Sequence, residues 1–223
     1  MNFGKLKKTA LNRLESTDII SQFIWDLKIH NKLWPGTWDL TSLVLKKTLD
    51  KKIIFNSNIE NYLDIGCGQM AILGQYLKKK NPKINVTSTD LHEDIVNCAQ
   101  LNIKKNKIKI NLFQSDLFEN INEKFDLITF NPPYVSTLIK QNIPPDNRRF
   151  TSRYSGPKGT EITEKFLKKA KYHLTPNGRI FLGINCFYIP EHTCLKLIRE
   201  YAYKLEDVNK IKFNTSAVFI IYL

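Results

Sequence analysis

Between Phe125 and Tyr134 the chain reads FDLITFNPPY, an apolar run that halts at a polar residue, two prolines and an aromatic. Five of the six positions from Phe125 to Phe130 are apolar, β-branched or aromatic without alternation, which predicts a strand covered on both faces of a parallel sheet. Pro132 and Pro133 cannot donate to a ladder, and each holds its predecessor extended, so the chain leaves the sheet at Asn131. Upstream, Asn61–Ile65 reads as a strand running into Gly66-Cys67-Gly68-Gln69-Met70 and a helical pattern with Ile72, Leu73, Tyr76 and Leu77. A second strand, residues 84–89, ends on Asp90 and precedes a helix through Ile95, Ala99 and Leu101; a third, residues 108–113, ends in Gln114-Ser115-Asp116-Leu117-Phe118. Downstream, the pattern predicts a fifth strand over 178–184, a helix over 191–203, and a hairpin of 211–213 with 218–222. Strands alternating with helices predict an α/β domain.

The amino-terminal third has a different period. Leu6, Ala10 and Leu14, then Ile19, Ile20, Phe23, Ile24 and Leu27, recur at helical spacing on either side of Ser16-Thr17-Asp18. This predicts an N-terminal helical segment over 1–33 ahead of a main domain over 34–223. Trp34-Pro35-Gly36-Thr37-Trp38 then forms a turn, and Asp39 is placed to cap a helix that begins at Leu40 and carries Leu43, Val44 and Leu45. The tryptophan pair serves either as a lip over a ligand or as a hydrophobic staple for that helix.

Composition narrows the class. With 223 residues and 42% hydrophobic content the chain can bury one ordinary core. No stretch reaches the length of a membrane span, and MNFGKLKKTALNR lacks the apolar centre of a signal peptide. The four cysteines, Cys67, Cys98, Cys186 and Cys194, show no paired spacing, and the four histidines complete no metal pattern. The expectation is a reduced, cytoplasmic protein with no metal and no membrane association. A net charge of +13 suits nucleic acid, but the excess is mostly lysine and equally suits a compositional bias.

Candidate chemistry collects at the predicted strand ends, where open α/β sheets bind ligands. The side-chain carbonyl of Asn131 and the backbone carbonyl of Pro132 offer two acceptors to a planar NH2 group, and Tyr134 offers a flat face beside them. Gly66 and Gly68 permit a tight turn and a close approach of ligand to backbone. Asp64 favours a ligand with positive charge, Asp90 suits the hydroxyls of a ribose, and Asp116 could accept from an adenine amino group. Each acid alone is more often a helix cap or solvated turn; three of them, each just after its own successive strand, with Asn131 after the fourth, make the pattern.

The series Asp64-Ile65-Gly66-Cys67-Gly68, Asp90, Asp116-Leu117 and Asn131-Pro132-Pro133-Tyr134 resembles the class I S-adenosylmethionine-dependent methyltransferases that modify planar nitrogens. Within them it is most similar to the HemK-like glutamine N5-methyltransferases of release factors and a ribosomal protein. The segment Ser155 to Glu161, the turn Leu174 to Arg179 and the lip Gly36 to Thr41 share in the likeness, which spans roughly residues 34 to 190. The resemblance implies a Rossmann-like sheet, mostly parallel with its last strand antiparallel, and helices on both faces. It implies S-adenosyl-L-methionine held by Asp64, Gly66, Gly68, Asp90, Leu91, Asp116, Leu117, Asn131 and Trp38, with Asn131, Pro132 and Tyr134 catalytic. The implied partner is a protein, a release factor or ribosomal protein methylated on glutamine; the alternatives are an exocyclic amine of RNA or DNA, or a small molecule. A non-catalytic Rossmann domain is the remaining rival. The chain departs from the family in carrying Met70 where a third glycine is usual, which predicts a first helix set slightly farther from its strand. Its N-terminal segment is also shorter than the helical domain of bacterial members. A long stretch from Gln141 to Tyr154, with Arg148, Arg149 and Arg153, is expected to form a substrate lid.

Overall fold

The structure, a computed structural model, describes residues 19, 21–30, 33, 39–52, 59–139 and 152–223. Among these residues lie β1 (Asn61–Ile65), β2 (Asn85–Asp90), β3 (Asn111–Gln114), β4 (Phe125–Phe130), β5 (Leu174–Asn185), β6 (Lys204–Lys210) and β7 (Ser216–Tyr222). They form one sheet in the order β3-β2-β1-β4-β5-β7-β6. Neighbours from β3 to β5 pair in parallel, while β7 runs antiparallel to both β5 and β6. The helices are α1 (Leu40–Lys52), α2 (Ile72–Lys80), α3 (Glu93–Asn106), α4 (Glu161–Ala170) and α5 (Glu191–Glu200). The expected Rossmann-like sheet with antiparallel final strands is what the chain forms.

The unbroken apolar runs occupy the middle of the sheet because they are buried from both sides. On one face Tyr62, Leu127, Phe181, Val218 and Ile220 pack with α1 and α2. On the other, Leu63, Ile128, Phe130 and Leu182 pack with Phe166 and Leu167 of α4 and Ile198 of α5. Gly183 allows α1 to lie close to β5, since a Cβ there would stand 2.8 Å from Thr41 Cγ2 and 3.0 Å from Leu45 Cδ1. A bulkier residue would lift the helix and everything attached to its first turn.

Several boundaries differ from those the pattern suggests. The third strand is confined to Asn111–Gln114, the fifth begins early at Leu174, and α5 stops at Glu200. The sixth strand is the polar Lys204–Lys210, not residues 211–213. Those three apolar or long residues enter the turn before β7, where Phe213 has φ 62° and is 98% exposed. Lys204–Lys210 is an edge strand that pairs with the buried β7, and pairing does not demand apolar side chains.

The amino-terminal segment is helical over residues 21–25. Trp25 is buried edge-on to Tyr76 at 5.7 Å, with Ser21 and Leu27 also buried, while Ile19 and Phe23 point outward. Of the apolar positions that the spacing picks out, Ile24 and Leu27 pack into the core while Ile19 and Phe23 do not. Beyond the helix, backbone N–H groups of His30 and Lys28 donate to Asn102 Oδ1 and Asn106 Oδ1 on α3 at 2.9 and 3.0 Å, and Leu33 N–H donates to Gln69 Oε1 at 2.7 Å. The helix assigned to Leu6, Ala10 and Leu14 lies outside the described residues.

Met70 stands at the position where the resembled family usually has a third glycine. Met70 is fully buried among the α1 and α2 side chains. The close approach to the sheet is made one turn later by Gly74, where a Cβ would stand 2.4 Å from Ser88 Oγ and 3.2 Å from Val86 Cγ1.

Candidate active site

The turn after β1 is built to leave a gap. Gly66 and Gly68 have φ of 65° and 67°, values that residues with a Cβ rarely adopt. Cys67 N–H donates to Thr89 C=O at 2.9 Å, tying the turn to β2, and a Cβ on Gly68 would meet nothing within 4 Å. Asp90, at the end of β2, accepts from Gly68 N–H at 3.0 Å through Oδ2 and from His92 N–H at 3.3 Å through Oδ1. Burial raises its pKa, against those two amide hydrogen bonds, which lower it. Ser115 N–H donates to Asp90 C=O at 2.9 Å, which sets the exposed Asp116 and the half-buried Leu117 beside the same strand end. Leu91 is half exposed on that edge.

Asp64 sits deeper, beneath α2. Its Oδ1 accepts from Thr129 Oγ1 at 2.9 Å, Thr129 in turn lies 2.6 Å from the Tyr62 hydroxyl, and its Oδ2 has no partner. Burial pushes the carboxyl up to about 7; hydrogen bonds from Thr129 and from the Gly74 N–H oppose the rise, and the charge of Asp90 adds to it. A glycine turn open to solvent, a ribose-type acid and a buried carboxylate short of a partner fit S-adenosylmethionine, which carries both hydroxyls and positive charge.

The tetrapeptide stands at the end of β4, next to β1 in the sheet. Asn131 Nδ2 donates to Asp39 at 3.1 Å (Oδ1) and 3.3 Å (Oδ2), and lies 3.4 Å from Ser42 Oγ. Asn131 Oδ1 is buried with no hydrogen-bond partner. Tyr134 donates its hydroxyl to Asp39 Oδ2 at 3.1 Å, and its ring stacks on Tyr188 with centroids 5.8 Å apart. Burial and the nearby Asp39 carboxylate drive the Tyr134 phenol well above its usual range. The tyrosine therefore presents a neutral ring.

Residues 135–139, next along the chain, are pinned by the segment that contains Gly156 and Gly159. Val135 pairs with Tyr154 in a parallel bridge, Val135 N–H donates to Arg153 C=O at 2.8 Å, and Thr137 N–H to Gly156 C=O at 2.8 Å. Gly159 has φ 79°, and a Cβ on it would press within 2.8 Å of the Tyr134 carbonyl oxygen. Ser155 Oγ accepts from Ile162 N–H at 2.8 Å and so anchors α4 to the same loop.

The pattern of the chain puts Asp64, Gly66, Gly68, Asp90, Asp116 and Asn131 at strand ends, and the fold brings those ends to one edge. Trp38 and nearly all of the stretch expected as a lid lie outside the described residues; Arg153 and Tyr154 are described. Two residues escape a reading of the sequence: Asp39, whose position marks it only as a helix cap, and Tyr188. Both meet the tetrapeptide through the fold, Asp39 across 92 residues, and neither carries a local signal of that meeting.

Known proteins resemble this chain in sequence and in fold. Residues 35–143 match the Methyltransferase small domain family. A Methanocaldococcus jannaschii protein named as a putative protein N5-glutamine methyltransferase is 29% identical over 195 residues, covering 87% of this chain and 93% of its own. The Haemophilus ducreyi ribosomal RNA small subunit methyltransferase C is 33% identical over 127 residues, 57% of this chain but only 33% of its own. The chain thus spans about a third of that relative. Among solved structures, a methyltransferase from Pyrococcus furiosus superposes with a TM-score of 0.68 at 22% identity over 96% of both chains, a likeness of fold. In its matched domain, in the names of its relatives and in its fold the chain is similar to the S-adenosylmethionine-dependent methyltransferases, and the glycine turn with Asp64 and Asp90 fits their cofactor, S-adenosyl-L-methionine. It carries the NPPY motif and is similar to the HemK-like glutamine methyltransferases.

Proposed function

We propose that the enzyme methylates a planar NH2 group, specifically the side-chain amide of a glutamine in a release factor or ribosomal protein. The observation that carries the first half is Asn131. Its NH2 is committed to Asp39, so its buried, unpartnered carbonyl oxygen is the end left for a substrate. An unmet buried acceptor costs about 1–3 kcal/mol, a reason to read it as awaiting a donor. Two hydrogens of an incoming amide would meet Asn131 Oδ1 and the carbonyl of Pro132, which draws the nitrogen lone pair out of conjugation and toward the glycine turn. Tyr134 covers one face of the group. Gly66, Gly68, Asp90, Leu91, Asp116 and Leu117 would hold the cofactor, which when bound supplies an electrophilic methyl group. Placement of this kind accounts for roughly 7–11 kcal/mol of barrier in favourable cases.

The M. jannaschii relative, matched over nearly its full length, supports glutamine. A second reading, an adenine or guanine amine in RNA, is favoured by a groove of about 500 Å³ beside Leu117 in which Lys165, Lys168, Lys169 and Lys171 outnumber Asp116 and Glu119 and Tyr172 adds a ring. Charge with an exposed ring suits a phosphate backbone. The test is transfer of radiolabelled methyl from S-adenosylmethionine into a lysate of source cells lacking this protein, split between nuclease and protease. Label that resists nuclease and is lost to protease is the expected result; the reverse moves the acceptor to nucleic acid. In the same assay Asn131→Ala should lower the rate about 10²–10³-fold with cofactor affinity unchanged. Wild-type rates in that variant would remove Asn131 from the chemistry.

A further inference from the structure

We infer that Asp39 is a positioning residue for methyl transfer: its carboxylate fixes which end of the Asn131 amide, and which part of Tyr134, faces the methyl acceptor. The inference rests on the reading of Asn131 given above. An amide side chain has two nearly isosteric ends of opposite polarity, and only the carbonyl end can receive an NH2 group. The choice between them must be made by a neighbour. Asp39 lies just ahead of α1, and its two oxygens accept from Ser42 N–H at 2.8 Å, Ser42 Oγ–H at 3.0 Å, Asn131 Nδ2 at 3.1 and 3.3 Å, and the Tyr134 hydroxyl at 3.1 Å. A carboxylate accepts and does not donate, so the amide facing it must turn its NH2 inward and its oxygen outward. The same contact keeps the Tyr134 hydroxyl from pointing into the site, leaving its ring as the exposed surface.

The first turn of α1 is held in turn by the rest of the fold. Thr41 Oγ1 lies 2.8 Å from Ser216 Oγ on β7 and 3.4 Å from the Tyr134 hydroxyl. Asp39 is therefore presented to Asn131 by a rigid helix end, not by a free loop.

A plain helix cap would produce some of the same contacts, so the test must separate the two roles. Asp39→Asn keeps size and shape, and asparagine caps helices as well as aspartate does. The new amide can still accept from Ser42 N–H, but its own NH2 now opposes the NH2 of Asn131 and favours the flipped orientation. The expected result is a fall of about 10²-fold in methyl transfer to the lysate, with melting temperature and S-adenosylhomocysteine affinity at wild-type values. The double variant Asp39→Asn with Asn131→Asp restores a donor at 39 facing an acceptor at 131 and leaves one oxygen toward the substrate. It should transfer methyl at least about tenfold faster than either single variant, the signature of coupled side chains. Wild-type turnover in Asp39→Asn, while Asn131→Ala is inactive, would overturn the inference and leave the Asn131 reading standing. Loss of stability alongside activity in Asp39→Asn, or a double variant no better than the poorer single one, would reduce Asp39 to a cap. Full activity in Asn131→Ala would instead remove the reading on which the inference rests.

Discussion

Asp64 shows how a residue legible in the sequence acquires a property that is not. Its place after an apolar run and before Gly66 marks it as a strand-end acid, but its pKa near 7 comes from burial under α2 and the neighbouring charge of Asp90. The native carboxyl holds its proton up to about pH 7, whereas the unfolded one releases it near its ordinary 3.8. Between those values the native state binds more protons, so stability falls as pH rises. The contribution is complete below about pH 4 and lost above about pH 7. Asp64→Asn should flatten this slope: melting curves of the cofactor-free protein at pH 5 and pH 8 should differ less in the variant than in wild type. Asn131 is equally legible, from the prolines behind it; its orientation is not, because the deciding partner lies 92 residues away.

At the scale of elements, α2 and the segment after the tetrapeptide are seated by pressed contacts. Gly74 sets α2 against β2, and Gly74→Val would drive methyl groups into Ser88 and Val86. Overpacking of this kind costs about 1–3 kcal/mol, seen as a drop of about 2–4 °C in melting temperature for each kcal/mol in a chain this long. Gly159→Ala combines a strained φ of 79° with a 2.8 Å clash on the Tyr134 carbonyl. It should lower turnover more than cofactor affinity, because the glycine turn at Gly66 is separate from that loop; paired calorimetry and rate measurements would check it. The buried strands are readable since burial on both faces leaves apolar runs. The sixth strand escapes the pattern because Lys204–Lys210 holds its position through backbone pairing to β7 and polar side-chain contacts such as Arg179 with Glu206 and Lys52 with Asp207, which leave no apolar run in the sequence.

At the scale of the molecule, the sheet order brings β1, β2 and β4 together so that their carboxyl ends share one edge. The resemblance is legible because the residues it rests on stand at those ends; the boundaries of α5 and the edge strands are not, since no distinctive residue series marks them. The net charge of +13 gives a further test of substrate. A protein acceptor predicts that transfer changes only a few-fold between 50 and 200 mM salt, while six to ten phosphate contacts would lose roughly 10³–10⁵ in affinity over that range. Among the described residues no helix is long and apolar enough to cross a membrane. Finally, the contact of Thr41 with Ser216 joins the first helix of the sheet domain to its last strand. A chain emerging from the ribosome completes β1 to β4, with their glycines and acids, long before β7 exists for α1 to rest on. The growing polypeptide thus gains the glycines and acids of its first strands early, and the support that fixes the first turn of α1 only once β7 has been made.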